Sequence, residues 1–196
     1  MSVIQLPGNG VQRFGEFIIG PDNEHESPEG GVTISIARPG SKWGFRVKVT
    51  ELEAGDARPW KLLHMRGQTF RWTIPQPDLV IGPEGTPQVD GENQTGMTVV
   101  LKNLEPGLAL VIGQWITIIT LGRRYNYMVR ANGVADVNGD IAVDIMPMLR
   151  VSPSNNDVVE IATPQAEGTI RLPQDAFEID EDEVVRSLSF EIRERR

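Results

Sequence analysis

The sequence predicts an all-β protein, a β-barrel or a β-sandwich, and three observations carry that prediction. Glycine (20) and proline (14) together make 34 of the 196 residues without a fixed period, which favours many short strands joined by turns. Apolar and polar residues alternate with period two over short stretches, most regularly after residue 97. Asn138-Gly139 stands between two such stretches, and both residues tolerate the positive φ of a tight hairpin turn. The same texture disfavours a helix bundle.

Taken in chain order, residues 13–20 (RFGEFIIG) are apolar enough for a first strand. The next segment, 22–31, holds four acids, a proline and two glycines and reads as a solvated loop. Val32, Ile34 and Ile36 alternate with Thr33 and Ser35, and Trp43, Phe45, Val47 and Val49 alternate with Gly44, Arg46 and Lys48; Pro39-Gly40 lies between. That pattern predicts a hairpin with one buried face. Asp56 ahead of Pro59 predicts one or two helical turns near residues 57–66. Phe70, Trp72 and Ile74 predict another strand, and the four prolines of residues 75–96 predict a long loop or extended arm rather than a central strand.

Seven further strand-like segments follow, ending in VVRSLSFEIRE at 184–194, at the spacing of a barrel or sandwich. On the strands flanking Asn138-Gly139, Tyr125, Tyr127, Val129 and Ala131 share one face, and Ile141, Val143 and Ile145 share one on the partner. The expected organisation is a single compact domain over residues 1–196 with an arm at 75–96; a division into 1–75 and 97–196 β-units fits the same pattern.

Composition narrows function mainly by exclusion. The net charge of −8 opposes nonspecific nucleic-acid binding, since a polyanion is repelled. The absence of cysteine removes thiol catalysis, thiolate metal sites and disulfides, and suits a reducing cytosol. No signal-peptide pattern and no apolar run near 20 residues occurs, so membrane insertion is not expected.

His25 and His64 stand outside any metal or triad spacing, and read as a loop and a helix-surface residue. Asp136, Asn138 and Asp140 alternate like calcium ligands, but the glycine is misplaced and no acid stands at the twelfth position, so they read as a turn. The acidic run at 178–183 reads as a solvated loop. GPEGTP lacks the lysine and hydroxyl of a phosphate loop, PGNG precedes no strand-to-helix transition, and Asn93-Gln94-Thr95 is a chance-level glycosylation acceptor. Trp43, Trp60, Trp72 and Trp115 could stack sugars, yet three of them lie on apolar strand faces, where a core role is favoured. The sequence therefore predicts no catalytic, cofactor-binding or metal-binding residue and no enzyme activity.

The order of features from residue 106 onward is more specific than any single motif. PGLALVIGQWITI is followed by the Tyr-x-Val element at Tyr127–Val129, by ADVNGDIAVDIMPMLR, DVVEIATP and GTIRLPQDAFEID, and by SLSFEIRE. With the upstream Trp43–Val49 pattern, Trp60 and LLHMRGQTF, this succession over residues 30–196 resembles the distal-tail and baseplate-hub proteins at the tail tip of long-tailed bacteriophages. The resemblance implies a β-barrel or sandwich protomer that forms a homo-oligomeric ring, capping the tail tube and attaching the host-recognition machinery in the virion tail, after assembly in the host cytoplasm. It implies tail-tube, hub or other tail-tip proteins as partners and carries over no catalytic residue. The large carbohydrate-binding insertion of some distal-tail proteins has no counterpart here, so receptor binding is not carried over.

Ring assembly also fits the many strands, whose edges must be closed or paired. The loop at 75–96, the acidic run at 178–183 and the basic end Arg193–Arg196 are the expected contact arms, and an acidic lining would let DNA pass without retaining it. The alternative reading is a carbohydrate- or receptor-binding β-sandwich, for which the tryptophans and the 75–96 loop would form the platform.

Overall fold

The computed structural model describes residues 3–20, 23–25, 34–36, 40–174, 176–179 and 185–195. The fold is all-β, and among the described residues most of its strands form a seven-stranded sheet and a closed six-stranded barrel, the other four making two small two-stranded sheets. The N-terminal segment supplies β1 (Val3–Gln5), β2 (Val11–Ile19), β3 (Asn23–His25), β4 (Ile34–Ile36), β5 (Lys42–Leu52) and, after a helical stretch, β6 (Thr69–Thr73). The middle supplies β7 (Gly85–Val89), β8 (Thr98–Leu104), β9 (Ala109–Leu110), β10 (Trp115–Thr120), β11 (Arg123–Val129), β12 (Gly133–Val134), β13 (Ile141–Met146) and β14 (Val158–Glu160). The chain ends in β15 (Gln165–Arg171), β16 (Phe177–Ile179) and β17 (Val185–Glu194).

The first and last groups build one sheet in the order β1-β6-β15-β17-β5-β2, with β16 also paired to β17, while β3 and β4 pair only with each other. Six strands of the middle group close a barrel, β10-β11-β13-β8-β7-β14, and β9 pairs with β12 in a small separate sheet. The barrel is thus inserted between β6 and β15, which pair with each other from Gln165↔Thr73 to Gly168↔Phe70.

Alternation explains how the two groups meet. On β10, Ile116 and Ile118 fill the barrel while Trp115 joins the core of the sheet, with Trp43, Phe45 and Trp72. On β11, Tyr125, Tyr127 and Val129 point into the barrel as the sequence pattern requires, and Met128 packs on the sheet core. Both strands are therefore covered on two faces, which is why WITIIT is almost continuously apolar. Ile141, Val143 and Ile145 are buried in the barrel opposite them, whereas Ala131 lies exposed beyond the end of β11.

Two local expectations are corrected, the hairpin and the 75–96 loop, and two are given detail, the short helix and the basic end. The strand over 42–52 does not form a hairpin with residues 32–36: β2 and β17 occupy its two edges, and Ile34–Ile36 pairs instead with Asn23–His25, within the stretch read as a loop. The helical stretch comprises one α-turn, Ala54–Ala57, followed by a 3₁₀ helix, Arg58–His64, which buries Trp60 and Leu63. The 75–96 segment is not wholly a loop, since Gly85–Val89 is a barrel strand. Pro87 is accommodated because the β7–β8 register shifts between Gly85 and Gln88, so the ladder does not need its missing N–H. Of the basic end, Arg193 and Glu194 belong to β17, and the Glu194 side chain is 1% exposed; Arg196 lies outside the described residues.

A turn forms at Asn138-Gly139, but it is not the tight hairpin expected between the two strands: Ile141–Asp144 pair with β8, and β11 meets β13 only at Met128 and Val129, opposite Met146 and Ile145. Gly139 has φ +80 and its Cα approaches the Leu104 carbonyl too closely to admit a Cβ, so glycine is required there. Asp136 closes the turn by accepting from the Asn138 N–H (2.8 Å) and the Asp140 N–H (2.9 Å).

Candidate functional site

The residues that carry chemistry in the sequence are dispersed by the fold. His64 ends the 3₁₀ helix on the surface and stacks on Phe177 at 5.0 Å. His25 lies in β3, its side chain outside the described residues, as are residues 180–183 of the acidic run. Asp136 is committed to its turn, where the Asp140 and Asn138 N–H groups hold its carboxyl below the ordinary aspartate value. Among the described residues no group of three or more His, Asp or Glu side chains is arranged to hold a metal ion, and no helix is long and apolar enough to cross a membrane.

All four tryptophans are buried. Trp43 and Trp115 meet edge to face at 4.8 Å, and Phe45 contacts both Trp115 and Trp72. Three of the indole N–H groups donate within the fold, Trp43 to the Met146 carbonyl at 3.4 Å, Trp60 to Asn9 Oδ1 at 3.0 Å and Trp72 to Gln12 Oε1 at 2.9 Å. No indole is presented to a sugar.

The open side of the structure is an edge. The barrel is closed on itself, but the sheet ends in β2, a nine-residue strand paired to β5 without interruption from Val11↔Thr50 to Ile19↔Lys42. Its other side faces no strand among the described residues. Antiparallel geometry directs the N–H and C=O of alternate β2 residues away from β5. Beside this edge lies a groove of about 490 Å³ between sheet and barrel, lined by Phe14 and Glu16 of β2 and by Leu79, Val111 and Trp115. Residues 13–20 were legible as a strand, but nothing local marks them as an edge, which depends on where β17 returns.

No known family model matches the chain. No curated protein is significantly similar to it either.

Behind the edge, one buried ionic group fixes the barrel on the sheet. Glu194 of β17 accepts from the Trp43 N–H (2.9 Å), from the Asn126 N–H and side-chain amide (both 2.8 Å) and from Arg150 Nη2 (2.7 Å). Arg150 also lies 5.0 Å over the Tyr125 ring, and its buried Nε has no partner. Burial pushes the Tyr127 phenol, beside Arg150, to about 12. Burial likewise pushes the Glu194 carboxyl above its ordinary value, opposed by Arg150 and by the Asn126 and Trp43 donors.

A raised carboxyl makes the folded chain hold a proton that the unfolded chain has released. The resulting stabilisation is complete below the ordinary value of 4.5 and is lost as pH rises through the folded-state value. Unfolding free energies of the natural chain and of Glu194→Gln, measured from about pH 4 to about pH 7, should therefore diverge, the natural chain losing ground as pH rises. A pH-independent difference would show that Glu194 titrates normally.

Proposed function

We propose that the chain is a structural, non-enzymatic component of a bacteriophage tail tip, forming a homo-oligomeric ring that joins the tail tube to the baseplate and host-recognition apparatus and lets DNA pass. The observation that supports it most is the unequal treatment of edges: every strand of the closed barrel has two neighbours, whereas among the described residues none pairs with the outer side of the nine-residue β2, which lies beside a groove. A long unpaired edge invites strand addition, in which backbone hydrogen bonds supply affinity and the adjoining groove receives alternate side chains. The order of motifs after residue 106 supplies the tail-tip context, and the virion tail, assembled in the host cytoplasm, is the corresponding location. The glycan-binding alternative, whose platform was the tryptophans with the 75–96 loop, is less supported, because the indoles are internal.

Size-exclusion chromatography with light scattering is expected to give one closed oligomer, and hydrogen exchange should show alternate amides of Val11–Ile19 gaining protection on assembly. A stable monomer at high concentration that binds neither tail-tube nor hub proteins contradicts the proposal. An oligomer in which those amides exchange as in the monomer contradicts the edge contact.

A further inference from the structure

The outward face of the open sheet carries a charge pattern that neither the core nor the β2 edge uses. Over the stretch where β2, β5, β17 and β15 run in register, the alternate residues that point away from the core include Arg13, Lys42, Arg46, Lys48, Arg171 and Arg193. Glu191 is the one acidic side chain among those positions. Among the described residues these positions thus hold five more basic than acidic side chains, on a chain whose net charge is −8, and Lys42 makes a further interaction of its own.

Glu191 bridges only part of the set, at 3.4 Å from Arg46 and 2.6 Å from Arg193. Arg13 and Lys48 stand directly opposite each other on neighbouring strands, both exposed and neither in an ion pair with any described residue. Like charges in that position destabilise a sheet. The face is also built: Gly44 leaves space for the Phe17 ring to lie on the backbone, and Arg46 and Arg193 flank that ring at 4.7 and 5.7 Å. Arg46 nevertheless keeps 73% of its side chain in solvent.

The barrel covers the opposite face of this sheet through Trp115, and β8 is the barrel strand furthest from β10 in the closed order. Along β8 and the turns beside it, Asp90, Glu92, Glu105, Asp136, Asp140 and Asp144 are exposed, with Lys102 and Arg130 the neighbouring bases. The protomer is therefore polar, cationic on its outer sheet face and acidic on the far wall of the barrel.

We infer that the cationic sheet face receives the acidic barrel wall of a second copy, a head-to-tail contact additional to the β2 edge. The inference extends the assembly reading above. A second copy is favoured over nucleic acid because each chain carries both complementary surfaces, whereas its net charge repels a polyanion at long range. A head-to-tail contact between non-identical surfaces either closes a ring or stacks copies along an axis.

Sedimentation velocity tests this with Arg13→Glu/Lys48→Glu and Glu92→Lys/Glu105→Lys, four exposed positions outside the core. Self-association of the natural chain should fall at least tenfold between about 0.02 M and about 0.5 M sodium chloride, as the screening length shrinks from roughly 20 Å to roughly 4 Å. Each double variant alone should associate at least tenfold more weakly at low salt, and mixing the two should restore association. Variants without effect, or a mixture that does not recover, overturn the inference. So does binding of a fluorescent DNA duplex, lost in Arg13→Glu/Lys48→Glu, by a natural chain that does not self-associate. A salt-resistant ring without recovery on mixing removes only this contact, and recovery on mixing without any ring removes only the ring.

Discussion

Replacing Arg150 by methionine is expected to lower the unfolding free energy by about 3–5 kcal/mol at neutral pH, because it leaves Glu194 as a buried carboxylate without its counter-ion. The side chains of the pair are 8% and 1% exposed, so water cannot take over the role of the guanidinium. Three N–H donors from Trp43 and Asn126 remain, and they orient the carboxylate without neutralising it. The loss should shrink near pH 4.5, where Glu194 can take up a proton. Arg150→Met with Glu194→Gln should recover most of it, since a neutral amide no longer needs the cation. Chemical denaturation of the three variants measures this directly; a single-variant loss below about 1 kcal/mol would mean that the pair contributes nothing net, as many exposed pairs do.

The pair shows where sequence reading stops. Strands with one buried face were legible from alternation, as for Thr69–Thr73, Thr98–Leu104 and Ile141–Met146, because period two is a local property. Partners were not. β5 looked like half of a hairpin because Pro39-Gly40 precedes it, yet its neighbours lie at Val11–Ile19 and Val185–Glu194, and only the long-range return of β17 reveals that. Pro87 hid a barrel strand, since a register shift is invisible in one strand alone.

Arg150 and Glu194 are 44 residues apart, and Glu194 sits in a run, Arg193–Arg196, whose composition says surface. The net charge of −8 was legible, but not its division into a basic face and an acidic wall, which follows from which residues alternate outward on strands far apart in sequence. A cue was present for the basic face: Arg46 and Lys48 alternate with buried Val47 and Val49.

Trp115→Ala is the second large effect expected, about 3–5 kcal/mol, because a buried indole is replaced by a methyl and a cavity. What makes the residue informative is its position. It belongs to a barrel strand but packs in the core of the sheet, edge to face with Trp43 at 4.8 Å and with Phe45 at 5.1 Å. The barrel core beneath it, Ile116 and Ile118 with Tyr125 and Tyr127, does not contain the indole. The loss should therefore fall on the sheet and on its attachment to the barrel, while β10–β11 pairing persists. Hydrogen exchange separates the two outcomes. Amides of β5 around Trp43 and Phe45 should lose protection in the variant more than those of Ile116–Thr120. Ile118→Ala, which empties the barrel instead, should show the reverse order. Equal loss in both groups by both variants would mean that the nested units unfold as one, with the Glu194–Arg150 pair, rather than the indole, as the coupling that holds them together.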